Sequence, residues 1–207
     1  MAARPFSQAC ENNKQFILDI IRHEFPPGGR VLEIGSGTAQ HVMHFAQAMP
    51  AVYWLPSDLP QNLSVVQAGL ADCSLPNIAP PLALDVAQDR WPVSHVDGIF
   101  TANTLHIMSS THVEKFFRGV QKVLSPGGCL CVYGPFKYGG DFTTTSNARF
   151  DVWLKERDPL SGVRAFESVD AFARAAGLQL QADHAMPANN QLLVWSMAKS
   201  VSEARQF

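Results

Sequence analysis

The chain has no long hydrophobic run, little charge and no cluster of basic residues. Of its 207 residues, 46% are hydrophobic and 16% charged, and the formal net charge is −2. No stretch reaches the ~20 apolar residues needed to cross a bilayer. Lys and Arg are scattered singly, whereas a dedicated nucleic-acid surface needs them clustered. We therefore expect a globular protein with no membrane segment and no nucleic-acid partner, which acts on small molecules.

The chain also lacks targeting signals and metal-binding patterns. Met1–Phe6 has neither the apolar core of a signal peptide nor the character of a transit peptide, so we expect a cytoplasmic location. The chain has four cysteines, at Cys10, Cys73, Cys129 and Cys131. Their spacing matches neither a zinc knuckle nor a thioredoxin-like pair, so we expect reduced thiols. His41 and His44 lie one helical turn apart, but no third ligand is near them in sequence. We predict no metal site.

Apolar strand patterns alternate with helical patterns along most of the chain. We predict strands at 31–34, 52–58, 82–86, 96–103 and 129–133, and helices at 7–23, 39–48, 61–71 and 110–124. This alternation is typical of a parallel sheet with helices on both faces. The tail differs, because a helix near 169–176 precedes two strands, 178–184 and 191–197, joined by a turn. We predict one α/β domain over 1–207, doubly wound and Rossmann-like, mostly parallel with an antiparallel last strand.

The most informative segment is a strand that runs into a glycine turn. Val31–Ile34 is the strand, and Gly35, Ser36 and Gly37 follow it before the helix at 39–48. Glycine permits positive φ and lets a ligand approach the backbone, while the helix presents unpaired N–H groups to the same place. We expect a ligand to lie on this turn.

Departures from better-known loops indicate which ligand this is. A dinucleotide fingerprint needs a third glycine where Gln40 stands, and a Walker loop needs a lysine that is absent. The carboxylate of Glu33 would repel a phosphate but suits a ligand that carries an ammonium and a sulfonium, such as S-adenosylmethionine. The pattern Glu33-x-Gly35-x-Gly37 resembles the first motif of class I S-adenosylmethionine-dependent methyltransferases.

Polar residues at the ends of the next strands are further candidates, because ligands of doubly wound sheets lie at the carboxyl ends of the strands. Asp58 ends the second strand and is placed to accept hydrogen bonds from ribose hydroxyls; the alternative is a helix cap. Asp85 ends the third and would accept from the adenine amine, although it is equally a turn residue and Val86 is an alternative adenine contact. The Asn103 amide would engage the methionine part.

Candidates for the acceptor side follow strands four and five. His106 lies on the loop after Asn103, where an imidazole can act as general base, although a structural histidine is an equal alternative. Tyr133 and Phe136 combine with Gly139 and flexible neighbours to suit a substrate wall or lid. Thr104-Leu105 does not match the motif of methyltransferases that act on nucleic-acid bases, which disfavours that subclass.

More narrowly, the chain resembles a small methyltransferase-like family, domain of unknown function 938. The segments that carry the resemblance are Phe6-Ser7, Glu11–Asn13, Gly35–His41, Trp54–Asp58, Ala102–Ile107, Tyr133–Phe136, Ser146–Asp151 and Met186–Asn190. The resemblance implies a methyltransferase fold of undefined substrate. We further predict that the helix 7–23 caps the cofactor site, that Asn13 and Ser36 contact the cofactor, and that Asn147 and Asn189 lie on the acceptor side; the alternatives are a plain loop around Asn147 and a hairpin turn at Asn189-Asn190. One departure is Asn12, where an arginine is expected.

The leading hypothesis is an enzyme that transfers a methyl group from S-adenosylmethionine to a small acceptor, with catalysis mostly by positioning. One alternative is a non-catalytic protein that keeps S-adenosylmethionine as a sensor or structural ligand. A second is an NAD-dependent oxidoreductase, which Gln40 and Glu33 disfavour. Neither the acceptor nor the oligomeric state follows from the sequence.

Overall fold

A computed structural model describes residues 4–199; residues 1–3 and 200–207, the two ends of the predicted domain, lie outside the described part. The helices are α1 Gln8–Glu24, α2 Gln40–Ala48, α3 Leu63–Leu70, α4 Ser110–Val123, α5 Thr145–Arg157 and α6 Phe166–Ala175. The strands are β1 Arg30–Ile34, β2 Tyr53–Asp58, β3 Leu82–Ala83, β4 Val96–Ala102, β5 Leu124–Gly134, β6 Phe136–Tyr138, β7 Asp141–Phe142, β8 Arg164–Ala165, β9 Leu178–Met186 and β10 Asn190–Met197.

Seven strands form one sheet in the order β3-β2-β1-β4-β5-β10-β9. The first five pair in parallel, and β10 runs antiparallel between β5 and β9. Strand order reverses beside β1, and the carboxyl ends of β1 and β4 flank the crevice created there. The prediction of a doubly wound sheet with an antiparallel last strand is confirmed.

Residues of alternate strand positions pack into two cores, one on each face of the sheet. Leu32 and Ile99 contribute to the core that includes helix α4, whereas Val31 and Phe100 contribute to the core that includes α1 and α2. Cys129 and Cys131 are buried together in the latter core as free thiols, with their Sγ atoms 3.7 Å apart.

The structure differs from the predicted elements at two strands, and it contains a helix that the sequence did not indicate. The third strand pairs only over Leu82–Ala83, because Asp85 then caps a turn through the backbone N–H of Ala87. β5 begins at Leu124, earlier than predicted. The polar stretch after Asp141 contains β7 and then the thirteen-residue helix α5, which buries Asn147, Asp151 and Leu154 and so has no apolar stripe to reveal it.

None of the helices between residues 4 and 199 combines the length and the apolar character that crossing a membrane requires. The predicted cytoplasmic location stays a prediction.

Candidate functional site

The glycine turn after β1 is held by β2. The backbone N–H groups of Gly35 and Ser36 both donate to the Ser57 carbonyl at 2.9 Å, and φ is +78° at Gly35 and +52° at Gly37. A Cβ on Gly35 would lie 2.5 Å from Cγ2 of Thr104, whereas a Cβ on Gly37 would meet nothing within 4 Å. Gly35 is therefore required for packing, and Gly37 faces open space.

That open space is a cavity of about 490 Å³ at the carboxyl ends of β1, β2 and β4. Its size falls within the usual range of small-molecule sites. Six of the nine predicted cofactor residues line it: Gly35, Gly37, Asp58, Asp85, Val86 and Asn103. Other lining residues include Leu59, Asn62, Ile107, Met108 and His112. The structure does not bring Asn13, Glu33 or Ser36 to this lining.

Asp58 joins the turn to the end of β2. Its Oδ2 accepts from the Gly37 backbone N–H at 2.8 Å, and its Oδ1 accepts from the Leu59 backbone N–H at 2.8 Å and Asn62 Nδ2 at 2.9 Å. A carboxylate has about four acceptor positions, so one remains on the oxygen that faces Gly37. The side chain thus caps its own loop, as the alternative interpretation proposed, and also lines the cavity.

Asp85 and Val86 also line the cavity. Asp85 is half-buried, and its Oδ1 accepts from the Ala87 backbone N–H at 2.8 Å, which is the geometry of a turn acid. Val86 is buried beside it. Asp85 and Val86, the two alternative adenine contacts, therefore both lie in the lining of the cavity.

Asn103 directly follows β4 and lies in the left-handed region, with φ of 58°. Its backbone N–H donates to the Tyr133 carbonyl at 2.9 Å, so β5 holds it in this conformation. Asparagine tolerates the left-handed region better than most residues. Such backbone strain persists only where neighbouring structure enforces it, and it clusters at functional sites.

Glu33 is buried on the face of the sheet that α1 covers, with 2% of its surface exposed. Its Oε2 has no hydrogen-bond partner among residues 4–199. Desolvation by burial raises the pKa of Glu33 to about 7, and the hydroxyl of Ser36 only partly offsets this. The Ser36 hydroxyl also accepts from the Ser57 backbone N–H at 3.1 Å. A buried carboxylate oxygen without a partner indicates that a donor is expected there.

The N-terminal helix α1 is attached to α2 and the turn through Gln40. Gln40 Oε1 accepts from the Ser7 backbone N–H at 2.5 Å and from Thr38 Oγ1 at 2.9 Å, and its Nε2 donates to Glu11 Oε2 at 3.2 Å. In the sequence, Gln40 is only the residue that stands where a dinucleotide fingerprint has its third glycine. No local pattern signals its contacts with Ser7 and Glu11, because these two residues are remote in sequence.

Asn13 lies on the inner side of α1 with His41. Its Oδ1 is 2.6 Å from Nε2 of His41, and burial lowers the pKa of His41 to about 4, so the ring is neutral near pH 7. The Asn13 and Asn190 side chains both lie beside the Tyr133 hydroxyl. Asn13 therefore connects α1 to the end of β5. His44 contacts Gln15 at 3.2 Å, and no group of three potential metal ligands occurs within residues 4–199.

His106 is buried at the end of β4, with 5% of its surface exposed. Its Nδ1 and the Oδ1 of Asn103 lie 3.7 and 4.0 Å from the position of a Cβ on Gly134, so the two side chains converge there. The ring packs edge-on against Phe150 at 5.2 Å. Desolvation, and to a lesser extent the charge of Arg164, lowers the pKa of His106 to about 4, so the imidazole is neutral and neither ring nitrogen is hydrogen-bonded to a described residue.

The other predicted acceptor residues have different surroundings. Tyr133 is buried beside α1, and burial raises the pKa of its hydroxyl. Asn147 Nδ2 donates to Thr143 Oγ1 and to the Asn189 carbonyl, each at 2.9 Å, so these bonds join α5 to the β9–β10 turn. Phe136 is only 1% exposed and packs into the core on the α4 face, because its position on β6 turns it inward. The interpretation of Phe136 as a substrate wall is therefore corrected to a core residue.

Several solved structures share this fold. The S-adenosylmethionine-dependent methyltransferase SibL, in its apo form, matches with a TM-score of 0.76 and 22% identity over 92% of this chain and 56% of that chain. An O-methyltransferase family 2 protein from Planctomyces limnophilus, in complex with apigenin, matches with a TM-score of 0.76 and 15% identity. The match covers 92% of this chain and 60% of that chain. CalO1, a methyltransferase in calicheamicin biosynthesis in its SAH-bound form, matches with a TM-score of 0.71 and 16% identity. The match covers 90% of this chain and 54% of that chain.

This chain thus spans little more than half the length of these structures, and at such identities the likeness establishes the fold: the Rossmann-like fold of class I methyltransferases. Residues 4–197 match the family described as protein of unknown function DUF938, which is nearly the whole described chain. The chain therefore belongs to the DUF938 family.

Proposed function

We propose that this protein is an S-adenosylmethionine-dependent methyltransferase that acts on a small-molecule acceptor. The observation that carries the proposal is the pairing of the cavity at Gly37 with the buried, unpartnered Oε2 of Glu33 on the other side of the turn. A ligand that lies across this turn and carries an ammonium would supply the missing donor. A phosphate there would meet two carboxylates, those of Glu33 and Asp58, which is unfavourable.

The residues of the cavity fit such a cofactor. Asp58 keeps one acceptor position for ribose hydroxyls, and Val86 with Leu84 offers an apolar surface for adenine beside Asp85. Asn103 supports a contact with the methionine part, because it lines the cavity together with Thr104 and the glycine turn. When bound, the cofactor supplies an electrophilic methyl group on a sulfonium.

The acceptor side supports catalysis mainly by positioning. A neutral His106 with a free ring nitrogen can accept a proton, but a pKa of about 4 makes it a weaker base than an ordinary histidine. It therefore suits an acceptor whose own proton is acidic, and most of the rate would come from holding the two partners together. Tyr133, Asn147 and Asn189 stay proposed as acceptor-side residues. The neighbour in complex with apigenin is consistent with a small-molecule acceptor.

Two measurements test the proposal. Calorimetry should detect binding of S-adenosylmethionine and S-adenosylhomocysteine, and no binding of NAD. Incubation of metabolite extracts with methyl-labelled S-adenosylmethionine should then transfer label to a small molecule and produce S-adenosylhomocysteine. Binding of NAD alone would overturn the cofactor assignment. Cofactor binding with no transfer to any acceptor would instead favour the non-catalytic sensor.

A further inference from the structure

A second cavity, of about 140 Å³, lies where α4, α6 and the small sheet β7-β6-β8 meet. It is lined by Ser110, Val113, Lys137, Val163, Arg164, Ala165, Ser168, Val169 and Phe172. None of these residues lines the cavity at the glycine turn. The two sites are therefore separate.

Two cations, Lys137 and Arg164, line this cavity. The carboxylates of Asp151 and Asp158 lie near Arg164 and partly offset the lowering of its pKa, but neither forms an ion pair with it. Within the described residues neither Lys137 nor Arg164 forms an ion pair. The Lys137 Nζ lies 5.1 Å from the centre of the Phe142 ring and donates no hydrogen bond to another described residue. The nearby carboxylate of Asp151 is already engaged with Lys155 at 2.6 Å and the Val163 backbone N–H at 2.8 Å.

The guanidinium of Arg164 is only partly used. Its Nε donates to the Leu105 carbonyl at 3.1 Å, and its Nη2 donates to the Leu160 carbonyl at 2.7 Å and to that of Met108. These carbonyls account for three of the five N–H groups, which leaves both N–H groups of Nη1. Desolvation lowers the pKa of Arg164, and a bound anion would reduce this burial cost.

Two serine hydroxyls complete the donor set. Neither Ser110 nor Ser168 has a side-chain hydrogen bond to another residue in the range 4–199, and both lie in the first turn of a helix, α4 and α6. The helix dipole of α4 adds positive potential there, whereas α6 carries Glu167 in its first turn, whose carboxylate accepts from the Gly139 backbone N–H at 2.7 Å.

We propose that this cavity binds one small oxyanion of phosphate type, either a free ion or the phosphate group of a larger molecule. Its volume of about 140 Å³ leaves room for one tetrahedral oxyanion. Lys137 and Arg164 supply charge-assisted donors, and the Ser110 and Ser168 hydroxyls complete the coordination. A larger ligand would extend outward past the exposed serines. The proposal is independent of the methyltransferase assignment.

The test is titration of the full chain with inorganic phosphate at constant ionic strength, followed by calorimetry and thermal unfolding, with chloride as the reference anion. We expect saturable binding and a rise in Tm. Lys137→Gln should lower the affinity by roughly 10- to 100-fold, the loss of one charge-assisted hydrogen bond. Lys115→Gln removes the same charge from an exposed lysine of α4 outside the cavity and should leave the affinity unchanged.

Ser168→Ala is a second, milder variant that keeps both cations and should weaken binding by less than Lys137→Gln does. Phenyl phosphate distinguishes the two sources: binding as tight as that of inorganic phosphate indicates the group of a larger ligand, and weaker binding indicates a free ion. The proposal is overturned if phosphate gives no saturable effect up to about 20 mM, because this concentration exceeds the dissociation constant of a weak, millimolar site. Equal weakening by Lys115→Gln and Lys137→Gln would overturn it as well.

Discussion

Gln40 Oε1 accepts a hydrogen bond from the backbone N–H of Ser7 at 2.5 Å, which fixes the start of α1 beside the glycine turn. The same side chain also bonds Thr38 and Glu11. The residue that makes a dinucleotide fingerprint incomplete is thus the one that attaches the N-terminal helix α1.

Gln40→Ala should loosen the attachment of α1. Because three hydrogen bonds are lost at the edge of the protein, we expect a decrease in the free energy of unfolding of about 1–3 kcal/mol. Amide hydrogen exchange in the first turns of α1 should accelerate, and S-adenosylhomocysteine should dissociate faster. Gln47 lies on the exposed side of α2, the helix that carries Gln40, and Gln47→Ala is the matched control. It should change neither the exchange rate in α1 nor the dissociation rate of S-adenosylhomocysteine. Unchanged exchange in Gln40→Ala would show that α1 is held by its apolar face alone.

The two glycines of the turn should respond differently to alanine. Gly35→Ala places a methyl group 2.5 Å from Cγ2 of Thr104, so we expect destabilisation by about 1–3 kcal/mol, measured by chemical unfolding. Adding Thr104→Ser removes that methyl group while keeping the hydroxyl that contacts Thr101, and should restore part of the stability.

Gly37→Ala meets no protein atom, so it should cost only the strain of its positive φ, about 1 kcal/mol, while weakening cofactor binding strongly. Calorimetry with S-adenosylhomocysteine measures this effect. Full affinity in a folded Gly37→Ala variant would mean that no ligand approaches the turn there.

Cofactor affinity should increase with pH through the titration of Glu33. In the empty protein its pKa is raised to about 7, so the side chain is mostly protonated below that pH and offers no charge to an ammonium. Binding should therefore strengthen by roughly tenfold or more between about pH 5.5 and 7.5. His41 and His106 titrate near pH 4, below this window. Glu33→Gln should bind weakly at every pH, and an unchanged pH profile in that variant would contradict the role of Glu33.

The same raised pKa predicts how the stability of the empty protein depends on pH. The folded state binds more protons than the unfolded state between the ordinary glutamate pKa and about 7, so stability should decrease as pH rises through this interval. Glu33→Gln should remove this component. Thermal unfolding of both proteins in the same series of buffers measures the difference, and parallel curves would contradict the prediction.

His106→Asn should separate catalysis from cofactor binding. Once an acceptor is identified, we expect turnover to fall by ~10²-fold, the lower end of the range for general bases, because the pKa of His106 is low. Affinity for S-adenosylhomocysteine should change little, since His106 is absent from the lining of the cofactor cavity. Unchanged turnover would assign His106 to packing against Phe150.

Much of the fold follows from local signals in the sequence. Apolar runs such as Val31–Ile34 and the glycine turn after them form wherever the neighbouring chain permits, because strand period and positive φ are local properties. The ends of the strands then indicated Asp58, Asp85 and Asn103 as cavity residues, since parallel strands share one carboxyl edge.

Helix α5 had no such signal, because the residues that it buries include Asn147 and Asp151, whose partners are remote in sequence. An aromatic residue such as Phe136 suits a pocket wall or a core equally, and only the packing of β6 placed it in the core.

The chemistry of the site depended most on tertiary structure. The sequence by itself determined that Glu33 is acidic and stands before the glycine turn, but its raised pKa and its unpartnered Oε2 result from burial beneath α1. Likewise, Gln40 carries an ordinary amide until Ser7 and Glu11 come within reach. Residue type determines which bonds a side chain can make; desolvation and the approach of distant segments, which exist only in the folded chain, decide which bonds it does make and which remain for a ligand.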